Sequence, residues 1–121
     1  MVTIADAIAA LCEIFGQSIV SYLLPIIAEL KAYLEPPHPK NDSIVSIGAF
    51  ADIFKFIPST IEQYGPNILP ACLSSISSSD DLDTIRNTAF CIGMAIEGRP
   101  DLFKSRAAQI CEVLANKVAT A

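Results

Sequence analysis

Apolar residues recur along this chain at the three- and four-residue spacing of an α-helix, not at the alternation of a strand. Ile19, Tyr22, Ile26, Ile27, Leu30 and Leu34 form one such stripe, and Ala5, Ile8, Ala9, Cys12 and Phe15 form another. The stripes themselves repeat. A shift of 42 residues places Ile26, Ile68 and Ile110 in one column and Ile19, Ile61 and Phe103 in a second. Further columns hold Ile27, Leu69 and Cys111, then Leu30, Cys72 and Leu114, then Leu34, Ile76 and Val118. Upstream in each unit, Ile8, Phe50 and Ile92 align, as do Cys12, Phe54 and Ile96. One column is always small: Ala9, Ala51 and Gly93. Two columns break, where Arg106 answers Tyr22 and Tyr64, and Arg99 answers Phe15 and Ile57. Each unit therefore reads as two amphipathic helices.

The polar punctuation agrees. Thr3 with Asp6 and Ser59 with Glu62 resemble capping boxes. Asn41 and Asp42 can open the third helix, and Asp80, Asp81 and Asp83 crowd the start of the fifth, where carboxylates face the positive end of the helix dipole. Gly16 and Gly98 fall where first helices should stop, Pro100 suits a first turn, and Pro36, Pro37 and Pro39 separate the first two units. Helices are predicted near 3–15, 17–35, 42–57, 59–77, 82–97 and 100–118. Pro66 and Pro70 fall inside the fourth, yet Ile61, Tyr64, Ile68 and Cys72 keep their stripe through them, which favours one bent helix. The expected fold is all-α: an α-solenoid of about three HEAT-type helix pairs covering about 1–38, 39–79 and 80–121. In that fold Gly93 should face a neighbouring unit's helix at close range.

Composition narrows the function. The chain has 121 residues, 52% of them hydrophobic and 17% charged, so it can bury a core and is not a disordered tail. A net charge of −5 argues against nucleic acid, whose phosphates call for excess Lys and Arg, and makes a basic protein partner more natural. The first sixteen residues carry Asp6 and Glu13 and no Lys or Arg, unlike a signal peptide. The longest apolar run, about Ile19 to Leu30, is short for a bilayer and contains Pro25, so no membrane insertion is expected. Cys12, Cys72, Cys91 and Cys111 lack metal-type spacing and sit in apolar segments, which points to buried free thiols in the cytoplasm or nucleus. His38 stands alone among prolines. With no nucleophile–base pair, ligand cluster or phosphate-binding glycine loop, no catalytic residue, cofactor or metal is assigned and an enzyme is not expected.

The binding candidates lie on the non-core face of the second helices. The shift of 42 gives columns Ser21, Gln63 and Ser105; Pro25, Asn67 and Gln109; Ala28, Pro70 and Glu112; and Ala32, Ser74 and Asn116. These small, weakly polar positions would let another helix or an extended chain approach closely. Arg86 and Asp83, early in the fifth helix, are candidates for an ion pair between units. The serine run 77–79 reads as a polar turn.

Several segments resemble HEAT repeats of the karyopherin-β family. Asp83-Thr-Ile-Arg86 followed by Asn87-Thr-Ala-Phe-Cys-Ile-Gly93 is similar to that family's D-x-V-R…N-A-A-Y-x-L-G run. Gly48-Ala-Phe-Ala-Asp-Ile53 resembles a first-helix G-x-x-G-D-I/L, and Tyr22-Leu-Leu-Pro-Ile-Ile27 and Ile68-Leu-Pro70 resemble its second helices. The likeness runs from residue 17 onward and is greatest to the carboxyl-terminal part of the importins that carry histones and ribosomal proteins. Arg106 departs from the pattern at the second-helix aromatic. The resemblance implies a piece of a longer nuclear import receptor that binds protein cargo on a curved helical surface, with Ran and nucleoporins engaged through the whole receptor. The alternative is a scaffold segment of another HEAT protein, such as a phosphatase scaffold or a chromosome-organising subunit. Either way the first and last helices keep apolar residues on sides made for neighbours, so self-association through an end is expected.

Overall fold

A computed structural model of the chain describes residues 2–34 and 40–120, and every regular element among them is helical. Six α-helices follow one another: α1 (Val2–Phe15), α2 (Val20–Ala32), α3 (Lys40–Phe56), α4 (Ile61–Ser78), α5 (Leu82–Gly98) and α6 (Ala107–Thr120). The helical periodicity located all six. Pro36, Pro37, His38 and Pro39 lie outside the described residues, as do the side chains of Thr3 and Asn41.

The starts of the second helices differ from expectation. Each begins in tighter 3-10 turns: Gly16–Ile19 before α2, Pro58–Thr60 before α4, and Pro100–Leu102 with Lys104–Arg106 before α6. The three turns open at positions 42 apart, on Gly16, Pro58 and Pro100. Gly16 holds φ +56°, a left-handed conformation that a side chain disfavours. The two prolines instead fix φ near the value the turn needs and lack the N–H that a helix start leaves unused. The box proposed for Ser59 and Glu62 does not form, because the Ser59 hydroxyl donates across to Gln17 Oε1 in the preceding pair. Of the aspartates before α5, Asp81 is the cap: its Oδ2 accepts from the Thr84 N–H at 3.0 Å and from the Thr84 hydroxyl at 2.7 Å.

Helix α4 runs unbroken through Pro66 and Pro70. Four residues apart, the two prolines stack their missing donors on one side, leaving the carbonyls of Glu62 and Pro66 without helix partners. Pro70 and Glu62 are exposed, so water can serve that side. The opposite side carries Ile61, Ile68, Cys72 and Ile76, all buried. The chain turns through 119° between α3 and α4.

Helix α3 is the centre of the molecule. It packs on α1 to one side and on α5 to the other, while α2 packs on α3, and α4 packs on α5 and α6. Its core residues Ile47, Phe50, Ile53 and Phe54 are almost fully buried, and the Phe50 ring lies 5.8 Å from Phe54 and 6.4 Å from Tyr64. Helices also approach closely through glycine. A Cβ on Gly65 would sit 3.0 Å from both Ile61 Cγ2 and Phe103 Cζ, and one on Gly98 would drive into the Ile61 side chain. Gly98 therefore both ends α5 and seats Ile61.

Some expectations are corrected. Gly93 has nothing within 4 Å of a Cβ, because it lies opposite the buried stripe of Thr84, Thr88, Cys91 and Ala95 on α5. Cys111 is exposed, unlike the other three thiols. Tyr22 and Phe15, members of apolar stripes, are 79% and 53% exposed. Ile4–Ala32 forms one helical run of 29 residues, long and apolar enough by length and composition to cross a bilayer, and so extends well beyond the apolar run of Ile19 to Leu30 that is too short to do so. Gly16 interrupts its regular turn, and the run packs Ile8, Cys12, Leu23, Ile27 and Leu30 into the core.

Candidate protein-binding surface

The nine residues proposed for the outer face of the second helices all reach solvent. Ser21 and Pro25 on α2, Gln63, Asn67 and Ser74 on α4, Ser105 before α6, and Gln109, Glu112 and Asn116 on α6 are exposed. The α4 segment is partly ordered, since Asn67 Nδ2 donates to the Gln63 carbonyl at 2.9 Å, folding the amide back along its own helix.

The inter-unit ion pair is not where it was sought. Arg86 Nη1 lies 3.7 Å from Asp83 Oδ1 one turn away on the same helix, with both side chains largely in water. The cross-unit pair is made by Arg99, the residue that broke an apolar column. Its Nη1 reaches Glu62 Oε2 of α4 at 3.5 Å, while its Nε and Nη2 grip both oxygens of Asp101 at 3.1 and 2.9 Å. The hydrogen bond to Asp101 is the first cause of Arg99's raised pKa, and the same bond holds the Asp101 carboxyl below the usual carboxylate range. A second contact between units is made by Lys117, whose ammonium donates to the Ser79 carbonyl at 2.7 Å and so ties α6 to the end of α4.

Helices α1, α3 and α5 together bound a groove that the sequence columns did not mark. It measures about 430 Å3 and is bounded by Ala5 and Asp6 of α1, Gly48 and Asp52 of α3, and Asn87 and Phe90 of α5. Asp6 and Asp52 are the charged residues that line it, and Phe90, 43% exposed, forms one wall. Burial pushes the Asp52 carboxyl up, Lys55 opposes this, and Asp6 adds to it. Two carboxylates and an aromatic ring across three helices suit a Lys or Arg side chain, which would relieve the carboxylate repulsion and rest on the ring. Asp6 and Asp52 belong to different columns, so only the packing of α1 on α3 brings them to one groove.

The buried thiols Cys12 and Cys91 are structural. Burial raises the Cys12 pKa, with the Asp52 charge as the smaller cause. Cys91 is pushed well up, first by its hydrogen bond with Cys72 across α4 and α5 and then by burial. A raised pKa leaves little thiolate, the reactive form. Among the described residues, no group of three or more His, Cys, Asp or Glu is placed to hold a metal ion.

Comparison with models of protein families, with curated proteins and with solved structures finds no match for this chain.

Proposed function

We propose that this chain is a non-enzymatic, protein-binding stretch of α-solenoid from a nuclear import receptor, and that it takes a basic segment of protein cargo. The observation that carries the reading is the regular packing at one period: α3 between α1 and α5, with cross-unit ties at Gln17–Ser59 and Glu62–Arg99. Packing of this kind extends a surface without closing it, which serves recognition of long partners. The transport assignment rests on the karyopherin-like runs Asp83–Gly93 and Gly48–Ile53. The basic character of the partner is supported by the net charge of −5 and by the Asp6–Asp52 groove. HEAT scaffolds share the architecture, but those motif runs favour the receptor.

A Lys/Arg-rich peptide titrated against the protein by fluorescence anisotropy tests the partner chemistry. Binding that weakens with salt and with Asp6→Asn plus Asp52→Asn is expected; an acidic peptide of equal length binding as well would overturn it. The transport assignment is tested with the parent polypeptide and Ran loaded with GTP, which should release bound cargo. Retention of cargo would leave the scaffold reading in its place.

A further inference from the structure

The groove at the carboxyl-terminal end is an interior site of the molecule, displaced by one helix pair and left open. Between α4 and α5, Phe54, Gly65, Ile68 and Leu69 wall a gap of only about 10 Å3, closed from the other side by Cys91 and Ala95. Adding 42 to those four wall positions gives Ile96, Ala107, Ile110 and Cys111. These same residues wall a groove of about 370 Å3 between α5 and α6. Among the described residues the wall is repeated and the closing helix is not.

The other end of the molecule carries a helix of the required kind. Cys91 and Ala95 correspond, two periods back, to Ala7 and Leu11 of α1, and both are exposed. The whole outer side of α1 is uncovered in the same way. Ile4, Leu11 and Phe15 are 60%, 40% and 53% exposed, whereas their α3 counterparts Ser46, Ile53 and Ile57 are at most 1% exposed. The side of the pair that is buried in the middle of the molecule is thus left apolar and open at the start.

We propose that this 121-residue chain, with no further repeat joined to either end, associates head to tail: a second copy seats its α1 in the α5–α6 groove of the first, where a following repeat would sit in a longer polypeptide, repeating the packing of α5 on α3 and α4. The register follows from contacts already present. Ile61 against Gly98 becomes Phe103 against Ile14 of the second copy, and Ile14 is 72% exposed in the single chain. Glu62 against Arg99 becomes Lys104 against Phe15 of the second copy, an ion pair replaced by an ammonium over an aromatic ring. Gly65 against Phe103 becomes Ala107 against Ile19 of the second copy. The contact joins two different faces, so each added copy leaves a fresh groove at one end and a fresh α1 at the other.

Sedimentation over a concentration series tests this with two variants, each altering one exposed face. The wild-type weight-average mass should climb past about twice the monomer value, as an open head-to-tail contact requires. Labelling of the Cys111 thiol by a maleimide should slow over the same range. Leu11→Glu spoils α1 and Ala107→Arg spoils the groove, so each variant alone should stay monomeric. Mixed in equal amounts they should form a one-to-one dimer and nothing larger, since each keeps the face that the other lacks; a misfolded variant could not do this. Wild type that stays monomeric at high micromolar concentration would overturn the proposal. So would a mixture that stays monomeric, or association that survives Ala107→Arg and is lost only with Leu11→Glu, which would mean α1 pairing with α1.

Discussion

The middle helix pair and the two outer pairs are built on the same apolar pattern, yet they hold their residues differently. In α3 and α4, Ala49, Ala51, Ile53, Leu69, Leu73 and Ile76 are all buried. Their counterparts at the start, Ala7 and Leu11, and at the end, Gly93, Cys111, Ala115 and Val118, are exposed. Place in the molecule, more than residue type, sets how much a side chain contributes. An apolar residue stabilises only by what covers it, at about 25 cal/mol for each Å2 removed from water.

The largest test of this contrast uses one column twice. Ile76→Ala should cost about 2–5 kcal/mol, because the site is fully enclosed and leaves a cavity. Val118→Ala, one period later and 75% exposed, should stay within about 0.5 kcal/mol. Urea melts of both decide it; equal losses would mean that α6 is covered as fully as α4.

Next come the glycines. Gly65→Val should destabilise by about 1–3 kcal/mol, since its first carbon already presses on Ile61 and Phe103. Gly93→Ala should act oppositely and stabilise by about 0.4–1 kcal/mol, because nothing blocks the added methyl and the unfolded chain loses freedom. Thermal melts that move the same way for both would erase the difference between middle and end.

A polar group in the middle pair gives a test of similar size. Ser46 Oγ is buried without a hydrogen-bond partner, which costs about 1–3 kcal/mol. Ser46→Ala should recover part of that, whereas Ser105→Ala on the open face should leave the melting temperature unchanged.

The smallest effect is the pH response of the groove. Asp52 titrates higher in the fold than its ordinary value of 3.8, chiefly through burial. Below that value both folded and unfolded chains hold the proton, and no penalty arises. As pH rises through the folded value, the fold must carry a poorly solvated carboxylate and loses stability, and the loss persists above it. Asp52→Asn should flatten that fall and raise the melting temperature at neutral pH relative to wild type. An unchanged pH profile would place Asp52 in water.

The sequence made the helices legible because amphipathic spacing is local, and the shift of 42 that aligns its apolar columns also places the 3-10 turns that open at Gly16, Pro58 and Pro100. Burial was less legible. Tyr22 and Tyr64 share a column, yet Tyr64 is buried with its ring 6.4 Å from Phe50 while Tyr22 is 79% exposed. The same reasoning misplaced Gly93 and Cys111, whose columns promised neighbours that the last pair lacks. Arg86 was chosen for its place early in a helix. Arg99 had the better signal, an Arg in an otherwise apolar column, and that column lies on the seam between pairs. The residues that the columns place on the outer face of the second helices are exposed. The Asp6–Asp52 groove was not foreseen, because it is made by two helices meeting and by no single pattern within either.

The turn that opens each second helix has a further consequence, for the order in which the chain comes apart. At Pro58 and Pro100 the ring restricts the joint before folding, so less backbone freedom is lost when the turn forms. At Gly16 the joint is free in the unfolded chain and must be fixed at φ +56°, the costlier ordering. That joint also follows directly on α1, which exposes Ile4, Leu11, Ile14 and Phe15. Amide hydrogen exchange should therefore run fastest across α1, through openings that leave α3 and α5 closed, while the amides of α3 exchange only when the whole molecule unfolds. A seal on the outer side of α1 would slow its exchange first, which makes that helix the most sensitive reporter of anything that docks there.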